Sequence, residues 1–156
     1  SVASRGLGDV YKRQEQYGMV NKEVDGYEIE LSGKISDQLD LSMSYADFEG
    51  ANAAQSREIP DYTFTAFANY QVNDDFGIGF GVTSQGDSQI GTSATPYLPS
   101  YTRVDVAAYY NLADDLTIQA NIENLTDETY FPHSHSTHQA SVGEEMNARV
   151  SIRRTF

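Results

Sequence analysis

The sequence contains no cysteine and no tryptophan, and only 4 of its 156 residues are proline. Without cysteine there is neither a disulfide scaffold nor a thiolate-ligated zinc module, and redox chemistry leaves the compartment open. Cations are scarce too: 10 Lys and Arg stand against 23 Asp and Glu, a formal net charge of -13. So acidic a chain is poorly suited to tracking a phosphate backbone, which argues against a nucleic-acid binder. No stretch approaches the roughly 18 consecutive apolar residues that a spanning helix needs, so a helical membrane protein is ruled out. Disorder fits no better, because 11 Tyr, 7 Phe and many β-branched residues supply apolar surface that disordered chains lack. One class passes through this screen. A transmembrane β-barrel alternates lipid-facing with lumen-facing residues, so its mean hydropathy looks soluble and no window resembles a membrane span.

What the sequence does contain is two-residue alternation in segments of about ten residues, the length a tilted strand needs to cross a bilayer. Leu39, Leu41, Met43 and Tyr45 alternate with Asp40, Ser42, Ser44 and Ala46. Phe76, Ile78, Phe80 and Val82 alternate with Gly77, Gly79, Gly81 and Thr83, and Leu116, Ile118, Ala120 and Ile122 with polar partners. Weaker alternation runs through Tyr27 to Leu31 and Val104 to Tyr110. From Tyr62 to Val72 it is less clean, because Phe67 stands in the polar row. A last segment from Met146 to Phe156 puts Ala148, Val150, Ile152 and Phe156 on one face. These make seven strands, helical spacing is absent, and the chain reads as all-β.

The connections sort by length. Those around Ser36-Asp37-Gln38, Asn73-Asp74-Asp75 and Leu112-Ala113-Asp114-Asp115 are tight, with side chains able to bond their own backbone. Those at 47–61, 85–100 and 126–144 are long. Short and long alternate, as short periplasmic turns and long extracellular loops do in a transmembrane barrel. Aromatic girdles are expected where the apolar band meets water: Tyr27, Tyr45 and Tyr62 fall near the long-loop ends, and Tyr70, Phe76, Tyr110 and Phe156 near the short-turn ends. Seven strands ending on the short-turn side leave the first strand starting on the long-loop side, whereas bacterial barrels have an even count. The expectation is therefore a chain incomplete at its N-terminus. No signal peptide is visible. Residues 1–14, SVASRGLGDVYKRQ, show no alternation, and GLGDVYKRQ resembles translated sequencing-adapter read-through. They are set apart as non-native, with residues 15–156 as barrel; the other reading is a genuine extracellular loop.

Four stretches carry a family resemblance: VNKEVDGYEIELSGKI at 20–35, LPSYTRVDVAAYYNL at 98–112, NIENLTDETY at 121–130 and the terminal ARVSIRRTF. From about Val20 to Phe156 the chain resembles the C-terminal end of TonB-dependent outer-membrane receptors, ferric-siderophore branch. The third stretch is the most specific, an Asn-x-x-Asn-Leu-x-Asp-x-x-Tyr pattern closing the penultimate strand. The resemblance implies a bacterial outer-membrane location and a barrel of about 22 strands, of which this chain supplies seven. It also implies an N-terminal plug, a TonB box and about fifteen upstream strands outside the chain. Partners so implied are the lipid bilayer, a ferric siderophore, the plug, the TonB system and the barrel-assembly machinery, which would read the terminal Phe156. No cofactor, no metal site and no enzymatic activity are expected. Arg154 departs from the family pattern, which has an apolar or aromatic residue there.

Candidate ligand contacts are the loop aromatics Phe48, Tyr97, Tyr130 and Phe131, whose rings stack on flat ligands at small entropic cost. His133, His135 and His138 form a His-Ser-His-Ser-Thr-His run suited to zinc, copper or a ferric ligand. The plainer reading of that run is a polar loop with solvated imidazoles. Arg103, Asp105, Asn121, Glu123, Arg149 and Arg153 fall on the lumen face, to contact the plug or line the substrate route, or simply to pair with one another. Gly77, Gly79 and Gly81 leave a stripe without side chains, which admits another backbone or bends the wall. Asn121, Asn124 and Asp127 are read as organisers of the strand end and turn through side-chain hydrogen bonds. Two other readings remain open: a small autonomous barrel used for adhesion or structure, and a soluble β-sandwich carbohydrate-binding module.

Overall fold

The computed structural model describes residues 24–50, 59–90, 97–136 and 139–155. In chain order the strands are β1 (Val24–Lys34), β2 (Leu39–Gly50), β3 (Tyr62–Gln71), β4 (Phe76–Gln85), β5 (Ser88–Gln89), β6 (Tyr97–Leu98), β7 (Tyr101–Ala113), β8 (Leu116–Glu123), β9 (His133–Ser136), β10 (Gln139–Ser141) and β11 (Asn147–Arg154). Seven of them form one sheet in the order β1-β2-β3-β4-β7-β8-β11, every pair antiparallel. The seven predicted segments are these seven strands. The long connections hold something the alternation does not reveal, two short hairpins formed by β5–β6 and β9–β10.

Register turns the period-2 pattern of each strand into two continuous faces, because residues directly opposite one another point the same way. Ile29 faces Tyr45, which faces Phe64; Ala68 faces Phe80, which faces Val106; Val106 faces Ile122, which faces Ala148. These rows build one apolar face across all seven strands. The opposite face carries Glu30 beside Ser44, Ser44 beside Thr65, Thr65 beside Thr83 and Thr83 beside Arg103. Phe67 belongs to this polar face, opposite Gly81. Its place there is why the third segment alternates poorly.

The apolar face is not covered. Ile29 is 60%, Val150 68% and Ile152 69% exposed, and among the described residues only Ile90, Leu98 and Tyr130 are buried hydrophobics. A sandwich would bury one face of such a sheet against a second layer. A bare apolar face of this extent marks contact with lipid or with another protein. Aromatic residues edge it at both ends. Tyr27, Tyr45 and Tyr62 run diagonally across three strands with ring centroids 5.9 and 6.3 Å apart, and Phe76 meets Tyr110 at 6.5 Å at the short-turn end.

Two of the three short turns are closed by their own side chains. Ser36 Oγ accepts the N–H of Gln38 and of Leu39 at 3.3 and 3.1 Å, and Asn73 Oδ1 accepts those of Asp75 and Phe76 at 3.0 and 2.9 Å. Each turn is also tied to its neighbour: Gln71 N–H donates to Gln38 O, Asn111 to Asp75 O and Thr155 to Asp115 O. Arg154 lies on the apolar face opposite Leu116, and its Nε donates to Asp115 in the adjoining turn at 2.9 Å. The departure from the family pattern is thus matched by a local carboxylate at the edge of the apolar band.

Candidate functional site

At the long-connection end of the polar face, the NIENLTDETY stretch leaves β8 and turns back against the wall. Asn124 takes a left-handed backbone, φ 53°, and Asp127 does the same at 52°. Asn and Asp tolerate that region because their short side chains bond locally. Asn124 is 1% exposed, and its side chain is fully engaged. Its Oδ1 accepts Glu128 N–H at 2.9 Å, while its Nδ2 donates to Glu128 O at 2.9 Å and to Glu144 O at 3.0 Å. Asp127 Oδ1 accepts Met146 N–H at 2.8 Å. The two residues therefore pin both ends of the last long connection, 126–146, to each other.

A second set of bonds pins that connection to the wall. The N–H of Asn124 donates to Asp105 Oδ1 on β7 at 2.8 Å, and Leu125 N–H donates to Val104 O at 2.7 Å. The other Asp105 oxygen holds Arg103 through Nη2 at 2.8 Å and Nε at 3.2 Å. Arg103 Nη1 then donates to Tyr130 Oη at 3.3 Å. Tyr130 is 7% exposed, with its ring 4.7 Å from that of Tyr101 and closely over Gly143, whose N–H donates to Tyr130 O at 2.8 Å. A polar cleft of about 220 Å³ opens beside this clasp, lined by Arg103, Glu123, Glu144, Asn147 and Arg149. A shallower concavity of about 340 Å³ lies mid-face, lined by Ser42, Ser44, Thr65, Phe67, Thr83 and Asp105.

The structure thus separates residues that the sequence groups together. Arg103 and Asp105 meet as an ion pair on one strand, while Asn121 sits opposite Arg149, and Arg153 opposite Thr117. Asn121 accepts from Gln119 Nε2 at 2.9 Å and takes no part in the turn. Among the described residues Arg149 and Arg153 form no ion pair. Of the loop aromatics, Tyr97 is 53% exposed, Phe131 is half-buried and Phe48 sits half-buried opposite Gly26. Tyr130 is no exposed ligand platform, because Tyr101, Arg103 and Gly143 cover it. His133 is exposed on β9 and within 2.9 Å of Ser141 Oγ. The His135 side chain, His138, Phe156 and residues 1–14 lie outside the described residues. Among the described residues no group of three or more His, Cys, Asp and Glu is placed to hold a metal ion. The clasp itself was signalled by the Asn-x-x-Asn-Leu-x-Asp-x-x-Tyr spacing, whereas its wall partners Arg103 and Asp105 have no mark in the sequence that joins them to it.

The chain's likenesses agree with this geometry. The family model of the TonB dependent receptor-like β-barrel matches residues 4–125. The siderophore receptor PiuA of Acinetobacter baumannii is 26% identical over 148 residues, covering 83% of this chain and 20% of PiuA. The PiuA crystal structure superposes with a TM-score of 0.77 over 84% of this chain. The catecholate siderophore receptor Fiu of Escherichia coli K12 is 29% identical over 129 residues, covering 74% of this chain and 17% of Fiu. The chain spans about one fifth of the length of these relatives. The seven-stranded sheet is accordingly part of an outer-membrane barrel wall, and the chain belongs to the TonB-dependent receptor β-barrel family.

Proposed function

We propose that this chain is part of the wall of a receptor that carries a ferric siderophore across the outer membrane with energy delivered by the TonB system. The observation that carries the reading is the match of four-fifths of the chain, in sequence and in fold, to the siderophore receptor PiuA. Within it, residues 15–156 are wall, and the plug and remaining strands belong to a longer protein. The long-connection end faces outward and meets the cargo through Phe48, Tyr97, Phe131 and the His133, His135 and His138 run. Arg103, Asp105, Asn121, Glu123, Arg149 and Arg153 face the lumen, where polar side chains set selectivity and meet the plug. Phe156 is the signal read by the barrel-assembly machinery. The work of such a protein is binding and translocation, and no bond of the cargo is broken by it.

The test uses the full-length receptor containing this wall. Restored to an iron-limited strain lacking its own siderophore receptors, it supports growth on a ferric siderophore, and the growth disappears when the TonB system is removed. Growth supported only by haem, cobalamin or a saccharide overturns the cargo assignment, and growth independent of the TonB system overturns the mechanism.

A further inference from the structure

Strand β4 presents glycine at three successive positions of its polar face, Gly77, Gly79 and Gly81, all buried although among the described residues no second layer lies over the sheet. The cover comes from the two neighbouring strands. Tyr109 on β7 stands opposite Gly77, and Phe67 on β3 stands opposite Gly81. Both rings lean over β4 toward the middle glycine. A Cβ on Gly79 would lie 2.7 Å from Tyr109 Oη and 3.2 Å from Phe67 Cζ; one on Gly77 would lie 2.8 Å from Tyr109 Cδ2. The Tyr109 hydroxyl crosses the strand and donates to Asn69 Oδ1 on β3. The stripe is therefore occupied from within the sheet.

Register in this part of the wall needs such a device. A slip of one residue would reverse every side chain, but a slip of two preserves both faces, and glycine-rich strands specify register weakly. On β4 the apolar row Phe76, Ile78, Phe80, Val82 reads much the same after a shift of two. The aromatic pair does not. Sliding β4 by two residues one way sets Phe67 opposite Thr83; the other way sets Tyr109 opposite Asp75. Of these three placements of β4, only the observed one gives each ring a glycine to lie on. We propose that Phe67 and Tyr109, seated in the Gly77–Gly79–Gly81 socket, form a register key that selects one pairing of β3, β4 and β7 during barrel assembly. Such pairing of aromatic residues with strand glycines compensates for the missing side chains as well as specifying alignment.

Register is read directly by cross-linking in the full-length receptor, since this stretch has no cysteine of its own. The pair Ala68→Cys with Phe80→Cys reports the observed register, and Ala68→Cys with Val82→Cys or with Ile78→Cys reports a slip of two either way. In the otherwise native receptor only the first pair cross-links. With Phe67→Ala and Tyr109→Ala together, a slipped pair rises several-fold and the heat-modifiable, assembled fraction falls. Gly79→Val, which keeps both rings but fills the socket, has the same effect. Control substitutions of the hydrogen-bonded lumen pair, Ser44→Ala with Thr65→Ala, leave register and yield unchanged. The proposal is overturned if the double-alanine receptor or Gly79→Val assembles at native yield in the observed register alone, or if the control loses assembly to the same degree.

Discussion

Asp105 and Asn124 lie 19 residues apart in sequence and share a hydrogen bond at 2.8 Å, from the backbone N–H of Asn124 to Oδ1 of Asp105. The acceptor is the same carboxylate that fixes Arg103, so one wall residue sets both the start of the last long connection and the guanidinium that holds Tyr130 within it. Asn124 meets three demands at once: left-handed backbone, one acceptor and two donors. Asn124→Ala removes three part-buried hydrogen bonds, to the N–H and carbonyl of Glu128 and to the carbonyl of Glu144, and places a Cβ without local bonding at φ 53°. It is expected to cost about 3 kcal/mol, at about 1 kcal/mol for each hydrogen bond lost. Asn124→Gly, which relieves the backbone alone, recovers about 1 kcal/mol of that. Urea unfolding of the full-length receptor in lipid vesicles measures both.

Tyr130 acts on this reading as an anchor for the loop rather than as a contact for the cargo. Tyr130→Phe keeps the ring against Tyr101 and Gly143 and loses only the bond from Arg103, about 1 kcal/mol. Tyr130→Ala empties a buried site and costs about 3–5 kcal/mol. Siderophore affinity, measured by titration of the purified receptor, is unchanged in Tyr130→Phe. A tenfold loss of affinity in that variant would make Tyr130 a cargo ligand.

Depth in the bilayer decides what an arginine costs on the lipid side. Arg154 sits at the end of β11 with its ion pair to Asp115 about half exposed, 60% and 44% for the two side chains. Arg154→Leu is therefore expected to change stability by less than about 1 kcal/mol. Val150→Arg, four residues back on the same face and opposite Ala120, is expected to cost about 2–4 kcal/mol. Equal costs at the two positions, measured in vesicles, would contradict the placement of the apolar band.

The absence of cysteine makes the orientation of the wall easy to read. Asp87→Cys, in a long connection, reacts with a membrane-impermeant thiol reagent on intact cells. Asp114→Cys, in a short turn, reacts only after the outer membrane is opened. The reverse pattern would invert the barrel.

Strand number, faces and turns were all legible, because a pattern of period 2 survives wherever one face meets lipid and the other meets water. What escaped depends on which strand lies beside which residue. Phe67 looked like a flaw in the alternation and the three glycines like a vacant stripe until register set them opposite each other. Asp105 gave no hint that it accepts from Asn124, since the bond is made across the space between β7 and the end of β8. The hairpins β5–β6 and β9–β10 are too short, at two to four residues per strand, to establish any period. Asn124, Asp127 and Tyr130 were legible as a motif, but only the fold distinguishes the buried anchor Tyr130 from an exposed aromatic such as Tyr97.

The bare apolar face bears on how such walls change over time. In a globular interior each side chain must fit a cavity shaped by its neighbours, and a single methylene is felt. On the proposed placement Val150 and Ile152 have acyl chains for neighbours, and fluid hydrocarbon takes the shape of whatever it surrounds. Selection on that side asks for oiliness and is nearly indifferent to contour. Two walls can then share a TM-score of 0.77 at 26% identity. Positions that cannot drift so freely are the few where protein meets protein at close range, such as Gly79 beneath two rings and Asn124 bonded to the backbone of Glu128 and Glu144.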